Sequence, residues 1–464
     1  MSADRPIRSE DDLLEVFHQS EKPKERWCIG AESEKIGLLR GSAAEGGGVP
    51  LPYAGAGVAS VEELFARLQA SFGYQPYREH EGGPLLGLHK DRRSITLEPG
   101  AQFELSGAPW PTLHDVANEL DQHWAELLPI SNQLGIVWLG VGFHPTAKLS
   151  ELPWVPKERY PVMKEYLPKG GSRAHDMMQR TATVQANFDF SSEADALRKM
   201  RVSLRLSPII QAMTANSPFI EGRVSERQSE RADVWLNMPK DRSGLIPGLW
   251  EDRPLGYRDY TNWALDAGMF LFKRGERTFK NTGQTFRSFM RDGFQGEQAR
   301  LSDWTLHLNT LFPEARLKNT LEVRSCDMQN AQLLCAVPAL YTGLLYDEQA
   351  LEQADQLART FSLEQVERAR PSLTKLGLAG DIGGRPMRGL AEQVFEIAQG
   401  GLRRRGQLRQ SQDESCYLVP LQRLLSQGHN PAQAVTQGLR AGDAVSAAAV
   451  IERAPLFAED GPSV

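Results

Sequence analysis

The chain has 464 residues and is 41% hydrophobic, enough apolar material for a large core, and its length admits two or three domains or one α+β unit. Its 53 Lys and Arg against 59 Asp and Glu leave a net charge of −6, which excludes the basic field a general nucleic-acid binder needs. No run approaches the roughly 20 apolar residues of a membrane span, and MSADRPIRSEDDLLEVF lacks the apolar stretch of a signal peptide, which points to a cytosolic chain with no membrane partner.

In chain order, WCIGAESEKIGLL (27–39) reads as a strand in which Glu32 and Glu34, two apart, project from one side. A Gly-rich break follows at 41–57. SITLEPGAQFELSG (94–107) reads as a half-buried strand carrying Glu98 and Glu104, although Pro99 and Gly100 interrupt its ladder. Leu113, Val116, Leu120, Trp124 and Leu127 recur at helical spacing and predict a helix over 112–134. After the Pro-rich WVPKERYP (154–161), TATVQANFDF (181–190) alternates Val184, Ala186, Phe188 and Phe190 with Thr183, Gln185, Asn187 and Asp189, giving one apolar and one polar sheet face. A second helix fits 193–214, and a break fits RDGFQGEQ (291–298). In NTLEVRSCD (319–327) Glu322 and Arg324 share a face opposite Leu321 and Val323. Beyond residue 346 the sequence turns helical and charged, broken at AGDIGGRP (379–386). We therefore expect an α+β core over 1–345 with a helical portion, 346–464, packed on it as one unit.

Five carboxylates thus fall in three strand-like segments. Any one alone reads equally well as a solvated strand position. Together, side by side, they repel one another and call for cations, protons or solvation. Hard divalent cations are the usual partners of such oxygen clusters, particularly where nucleotide phosphates must be neutralised. No Walker A or GxGxxG motif is present, so a nucleotide would need a sheet-based site. Cys28, Cys326, Cys335 and Cys416 show no CxxC spacing, which argues against zinc and against a disulfide framework.

The segments IGAESEKIG, ITLEPGAQFELSGAP, RTATVQANFDFSSEADALRK, ANSPFIEG and DWTLHLNTLFPEARLKNTLEVRS, in that order, closely resemble glutamate–cysteine ligases of the plant and proteobacterial type, over about residues 26 to 400. The resemblance implies the glutamine synthetase-like carboxylate–amine ligase fold, a curved antiparallel sheet with helices packed behind it. It also implies the reaction: ATP phosphorylates the γ-carboxylate of glutamate, and the amine of cysteine displaces phosphate, in the first step of glutathione biosynthesis.

By motif, the resemblance assigns Glu32, Glu34, Glu98, Glu104 and Glu322 to Mg²⁺ or Mn²⁺, with Gln185 as a weaker ligand. Arg324 and Glu322 are implied to be catalytic, and Arg324, Lys318 and Arg316 to meet the ATP phosphates. Arg231 would take the α-carboxylate of glutamate, with Arg159 a second active-site arginine; without the resemblance both read as surface arginines. Trp304 and His307 are helically spaced and read as core. Ala117 stands where plant members carry a regulatory cysteine, so that disulfide switch is expected to be absent. Cys335 and Cys28 read as inert buried thiols.

The expected partners are L-glutamate, L-cysteine and ATP, with no obligate protein partner. Two alternatives stay open: a ligase of the same fold joining glutamate to a different amine, and an inactive binding protein, which would have eroded the acidic positions. A magnesium-dependent hydrolase would leave the LEPGAQFELSG and EVRS blocks unexplained.

Overall fold

Among the residues the computed structural model describes, 4–41, 48–55 and 59–457, ten strands form one antiparallel sheet. They are β1 (Ile29–Leu39), β2 (Val49–Pro50), β3 (Gln75–Tyr77), β4 (Gly87–Lys90), β5 (Arg93–Leu97), β6 (Phe103–Ser106), β7 (Ile136–Leu139), β8 (Val184–Phe188), β9 (Ala315–Leu317) and β10 (Leu321–Val323). The order is β9-β10-β8-β1-β6-β5-β4-β3, while β2 and β7 pair with the far end of β1. Part of the break expected at 41–57 lies outside the described residues.

Register gives the sheet two unlike faces. Ile29 opposes Phe188, Ala31 opposes Ala186, and Phe103 opposes Leu97, all buried together on one side. α1 (Leu113–Gln133) packs behind β1 and β7; α2 (Arg159–Tyr166) borders the polar side; α3 (Glu193–Met213) lies behind β9 and β10; α4 (Glu230–Leu236) faces α2's side; α5 (Ala336–Leu345) lies behind β8 and β1. The two long helices begin where their caps dictate. The Thr112 hydroxyl accepts from the Asp115 amide and the Ser192 hydroxyl from the Asp195 amide, satisfying donors left over at a helix start.

Between residues 347 and 457 the chain is mainly helical, with two short two-stranded hairpins. α6 (Glu348–Arg359) packs on α3, and α7 (Met387–Arg405) packs on both α5 and α3. α5 and α7 cross through glycines: a Cβ at Gly343 would strike the Ala398 backbone, and one at Gly401 the carbonyl of Gly343.

Two readings change. The stretch 94–107 is two strands, β5 and β6, joined by a turn at 98–102, because Pro99 and the positive φ of Ala101 (64°) reverse the chain there. The strand read over 181–190 is regular only over Val184–Phe188, with single bridges at Thr181 and Thr183 before it. Lys35 breaks the pattern, pointing into the apolar side with 0% exposure. Its ammonium donates to the Ser33 carbonyl (2.8 Å) and hydroxyl (3.1 Å) and lies 5.0 Å from the Trp124 ring. Burial lowers its pKa to about 7.

Candidate active site

Because side chains alternate along a strand and opposed residues share a face, register decides which groups meet. Glu34 stands opposite Glu104, which stands opposite Thr96; Glu32 stands opposite Gln185; Asn187 stands opposite Glu322, which stands opposite Arg316. All lie on the polar face.

Glu98 joins them from the β5–β6 turn, which is pinned from several sides. The Gln102 side chain accepts from the Gly100 amide (2.8 Å) and donates to the Thr181 carbonyl (2.9 Å). Lys157 (2.6 Å) and the Tyr160 hydroxyl (2.8 Å) both donate to the carbonyl of Leu97. The turn therefore comes to the face through tertiary bonds rather than through strand parity.

Among the described residues, Glu32, Glu34, Glu98 and Glu104 make no ion pair. Asn187 donates to Glu32 (2.8 Å), Gln185 to Glu34 (3.3 Å), and the hydroxyls of Thr96 (2.6 Å) and Ser106 (3.2 Å) to Glu104. Burial first, then the charges of Glu322 and Glu104, push Glu32 up to about 7. Burial, with Glu98 and Glu104 behind it, raises Glu34 well above the usual carboxylate range, and burial with Glu104 raises Glu98. Buried, uncompensated negative charge with oxygen-only donors fits a hard divalent cation chemically. In geometry the carboxylates are strung along the sheet: among the described residues no three acidic, His or Cys groups are drawn into a ready-made cage.

Glu322 differs from the other four. Arg316 (2.7 Å), Lys318 (2.9 Å) and Arg324 (2.7 Å) all bond its carboxylate. Against the cost of burial, these cations hold it well below the usual carboxylate range. Expected as a metal ligand, Glu322 is thus the counter-ion of the cationic cluster. Gln185 is also committed differently: its amide oxygen accepts from Arg324 (2.6 Å), so the nitrogen faces Glu34. Asn187 went unassigned in the sequence, although its strand parity with Gln185 could have flagged it; Lys157 and Gln102 carried no such signal.

A cavity of about 70 Å³ opens beside the face, lined by Glu34, Glu98, Arg159, Met178, Arg231 and Trp235. Arg231 is buried, and its guanidinium donates to the carbonyls of Arg324 (2.7 Å) and Ser325 (3.1 Å). Among the described residues, the buried Nε atoms of Arg159 and Arg231 have no hydrogen-bond partner. The two arginines read from separated segments therefore line one cavity. Trp304 and His307 are core: the rings stack at 5.9 Å, and His307 Nε2 bonds the Ala264 carbonyl. Cys335 is buried, as expected, whereas Cys28 is partly exposed. Ala117 is buried in α1.

An antiparallel sheet with buried carboxylates along its polar face, beside an arginine–lysine cluster and with helices behind, defines a carboxylate–amine ligase of the glutamine synthetase-like type. The description glutamate-cysteine ligase family 2 matches residues 50–449. The chain is 38% identical to the chloroplastic glutamate–cysteine ligase of Medicago truncatula over 434 residues, 93% of this chain and 82% of that one. It is 36% identical to that of Arabidopsis thaliana, over 93% and 80% respectively. The crystal structure of glutamate–cysteine ligase from Francisella tularensis in complex with AMP is similar in fold, with a TM-score of 0.51 at 12% identity over 89% of this chain and 84% of that one. The chain belongs to the glutamate–cysteine ligase family, ATP-dependent ligases of the first step of glutathione biosynthesis. The family match extends past the residue 400 expected, and it begins after Glu32 and Glu34.

The expectation of a cytosolic chain is overturned. The relatives it matches are named chloroplastic. Net charge does not separate such compartments, and neither does the low apolar content of MSADRPIRSEDDLLEVF, since transit peptides are amphipathic rather than apolar. Among the described residues no helix is long and apolar enough to cross a membrane.

Proposed function

We propose that this site joins the γ-carboxylate of L-glutamate to the amine of L-cysteine through a γ-glutamyl phosphate, with ATP as phosphoryl donor. One observation carries the reading: four carboxylates, Glu34 and Glu104 buried and Glu32 and Glu98 half-buried, have no ion pair among the described residues, share a sheet face with a three-cation cluster and adjoin a cavity lined by Arg159 and Arg231. The similarly folded Francisella tularensis enzyme is in complex with AMP.

Glu32, Glu34, Glu98 and Glu104 would hold divalent cations, Mg²⁺ or Mn²⁺, which when bound neutralise phosphate charge. Arg316, Lys318 and Arg324 offer the charge-assisted donors a transferring phosphoryl group needs, and Arg324's planar fork suits phosphate oxygens. In the absence of nucleotide, Glu322 keeps these cations aligned; once phosphate engages them, its carboxylate is free to join the metal ligands. Gln185, bonded to both Arg324 and Glu34, ties the cationic side of the face to the acidic side. Arg231 takes the α-carboxylate of glutamate, and Arg159, across the cavity, takes a second anionic group. Phosphoryl transfer asks mainly for alignment and charge neutralisation, which such a rigid sheet provides. Residues 1–345 and 346–464 act as one unit, with the helical portion buttressing α3 and α5 behind the sheet.

The test is ADP release with glutamate and a panel of acceptors: cysteine, 2-aminobutyrate, alanine and glycine. Cysteine is expected to give the highest kcat/KM. ADP release indifferent to glutamate would overturn the reading, and a preference for another amine would move the chain to a different acceptor.

A further inference from the structure

Asp327 lies four residues beyond the end of β10, is 0% exposed, and takes no part in the chemistry described above. One oxygen accepts from the Asn216 amide (2.7 Å) and the Ser217 hydroxyl (2.7 Å), the other from the Ser229 hydroxyl (3.0 Å). Each hydroxyl passes the contact on. Ser217 Oγ accepts from the backbone amide of Arg231 (3.1 Å), and Ser229 Oγ caps α4 by accepting from the Ala232 amide (2.9 Å). The far end of Arg231 returns to the same segment, since its guanidinium donates to the carbonyls of Arg324 and Ser325.

Arg231 is therefore held at both ends by residues 324–327, at its amide through Ser217 and Asp327, and at its head through two carbonyls. The same segment carries Arg324, whose side chain reaches Glu322 and Gln185. The chain is crowded here: a Cβ at Gly142 would come within 2.6 Å of Asp327.

We propose that Asp327 is a positioning residue. By clamping the two serines that fix the start of α4, it sets where Arg231, the amino-acid anchor, stands relative to residues 324–327, and with it the fit of glutamate to the cavity. The inference rests on Arg231 binding glutamate. A buried carboxylate accepting three bonds is suited to the task, because loss of an acceptor leaves buried donors unpaired and the frame free to shift.

The test compares Asp327→Asn, Ser229→Ala, Arg231→Lys and the double variant Asp327→Asn/Arg231→Lys. Asp327→Asn is expected to raise KM for glutamate about tenfold while kcat and KM for ATP stay within about twofold. Ser229→Ala should shift the same constant in the same direction by about threefold, and it carries the test if Asp327→Asn does not fold. In the Arg231→Lys background, Asp327→Asn should add less than about twofold, the non-additivity of groups acting through one another. If Arg231→Lys raises KM for glutamate but the Asp327 and Ser229 variants leave it unchanged, or raise both KM values alike as a general loosening would, the positioning role is overturned. If Arg231→Lys itself leaves KM for glutamate unchanged, the role of Arg231 fails and the inference falls with it.

Discussion

Glu34 and Glu104 face each other across the β1–β6 ladder, 8% exposed each, with no cation paired to either among the described residues. Like charges directly opposed in a sheet destabilise it. Glu34→Gln is therefore expected to stabilise the cation-free protein, by about 1 kcal/mol, while lowering turnover about 10²–10³-fold. Denaturant unfolding without divalent cations, beside ADP release at saturating Mg²⁺, measures both; wild-type turnover would remove Glu34 from the chemistry.

The same exchange at Glu322 should act with the opposite sign. Glu322→Gln strands Arg316, which is buried, together with Lys318 and Arg324, and is expected to destabilise the fold by about 3–5 kcal/mol. Equal unfolding midpoints for the wild type and this variant would mean that the cluster contributes nothing to the fold.

Divalent cations should stabilise the nucleotide-free protein. At a concentration about 100 times Kd, Mg²⁺ is expected to add about 2.7 kcal/mol by mass action, and Glu32→Gln or Glu34→Gln should reduce that gain. Thermal unfolding over a Mg²⁺ titration is the measurement. A gain undiminished in both variants would place the ion elsewhere.

Acid sensitivity is assigned to buried histidines. Burial holds His307 and His144 neutral, each pKa lowered to about 3. Above the unfolded value of 6.5 neither affects stability; as pH falls below it, the unfolded chain takes protons that the folded chain refuses. Each therefore costs about 2 kcal/mol by pH 5. His307→Gln should lose that share of the pH dependence, read from denaturation at pH 7 and pH 5.

Thiol labelling separates the cysteines. Burial pushes Cys335 and Cys326 up to about 12, so both should resist alkylation in the native protein, while the partly exposed Cys28 and Cys416 react. Peptide mapping after alkylation, native and then denatured, distinguishes the pairs.

What the sequence disclosed follows from the range over which each feature is determined. Glu32 with Glu34, and Glu322 with Arg324, were legible as pairs on one face because strand alternation is local. The two long helices were legible because period and caps lie within their own segments. The arrival of Glu98 at the face was not, because the turn depends on Gln102 reaching Thr181, 79 residues away. The capture of Glu322 by Arg316 was equally hidden, being set by the β9–β10 register. The role of Asp327 required Ser217 and Ser229, about a hundred residues earlier, to be brought against it.

Lys35, sealed beneath the sheet next to Glu34, makes β1 intolerant of slippage. Shifting that strand by a single position would drive Glu34 into the space now occupied by the ammonium among Phe103 and Trp124, and would turn Lys35 outward among the acids. Insertions or deletions of odd length in Ile29–Leu39 are therefore barred on electrostatic as well as steric grounds, so the parity of this one segment decides whether acid or ammonium meets solvent.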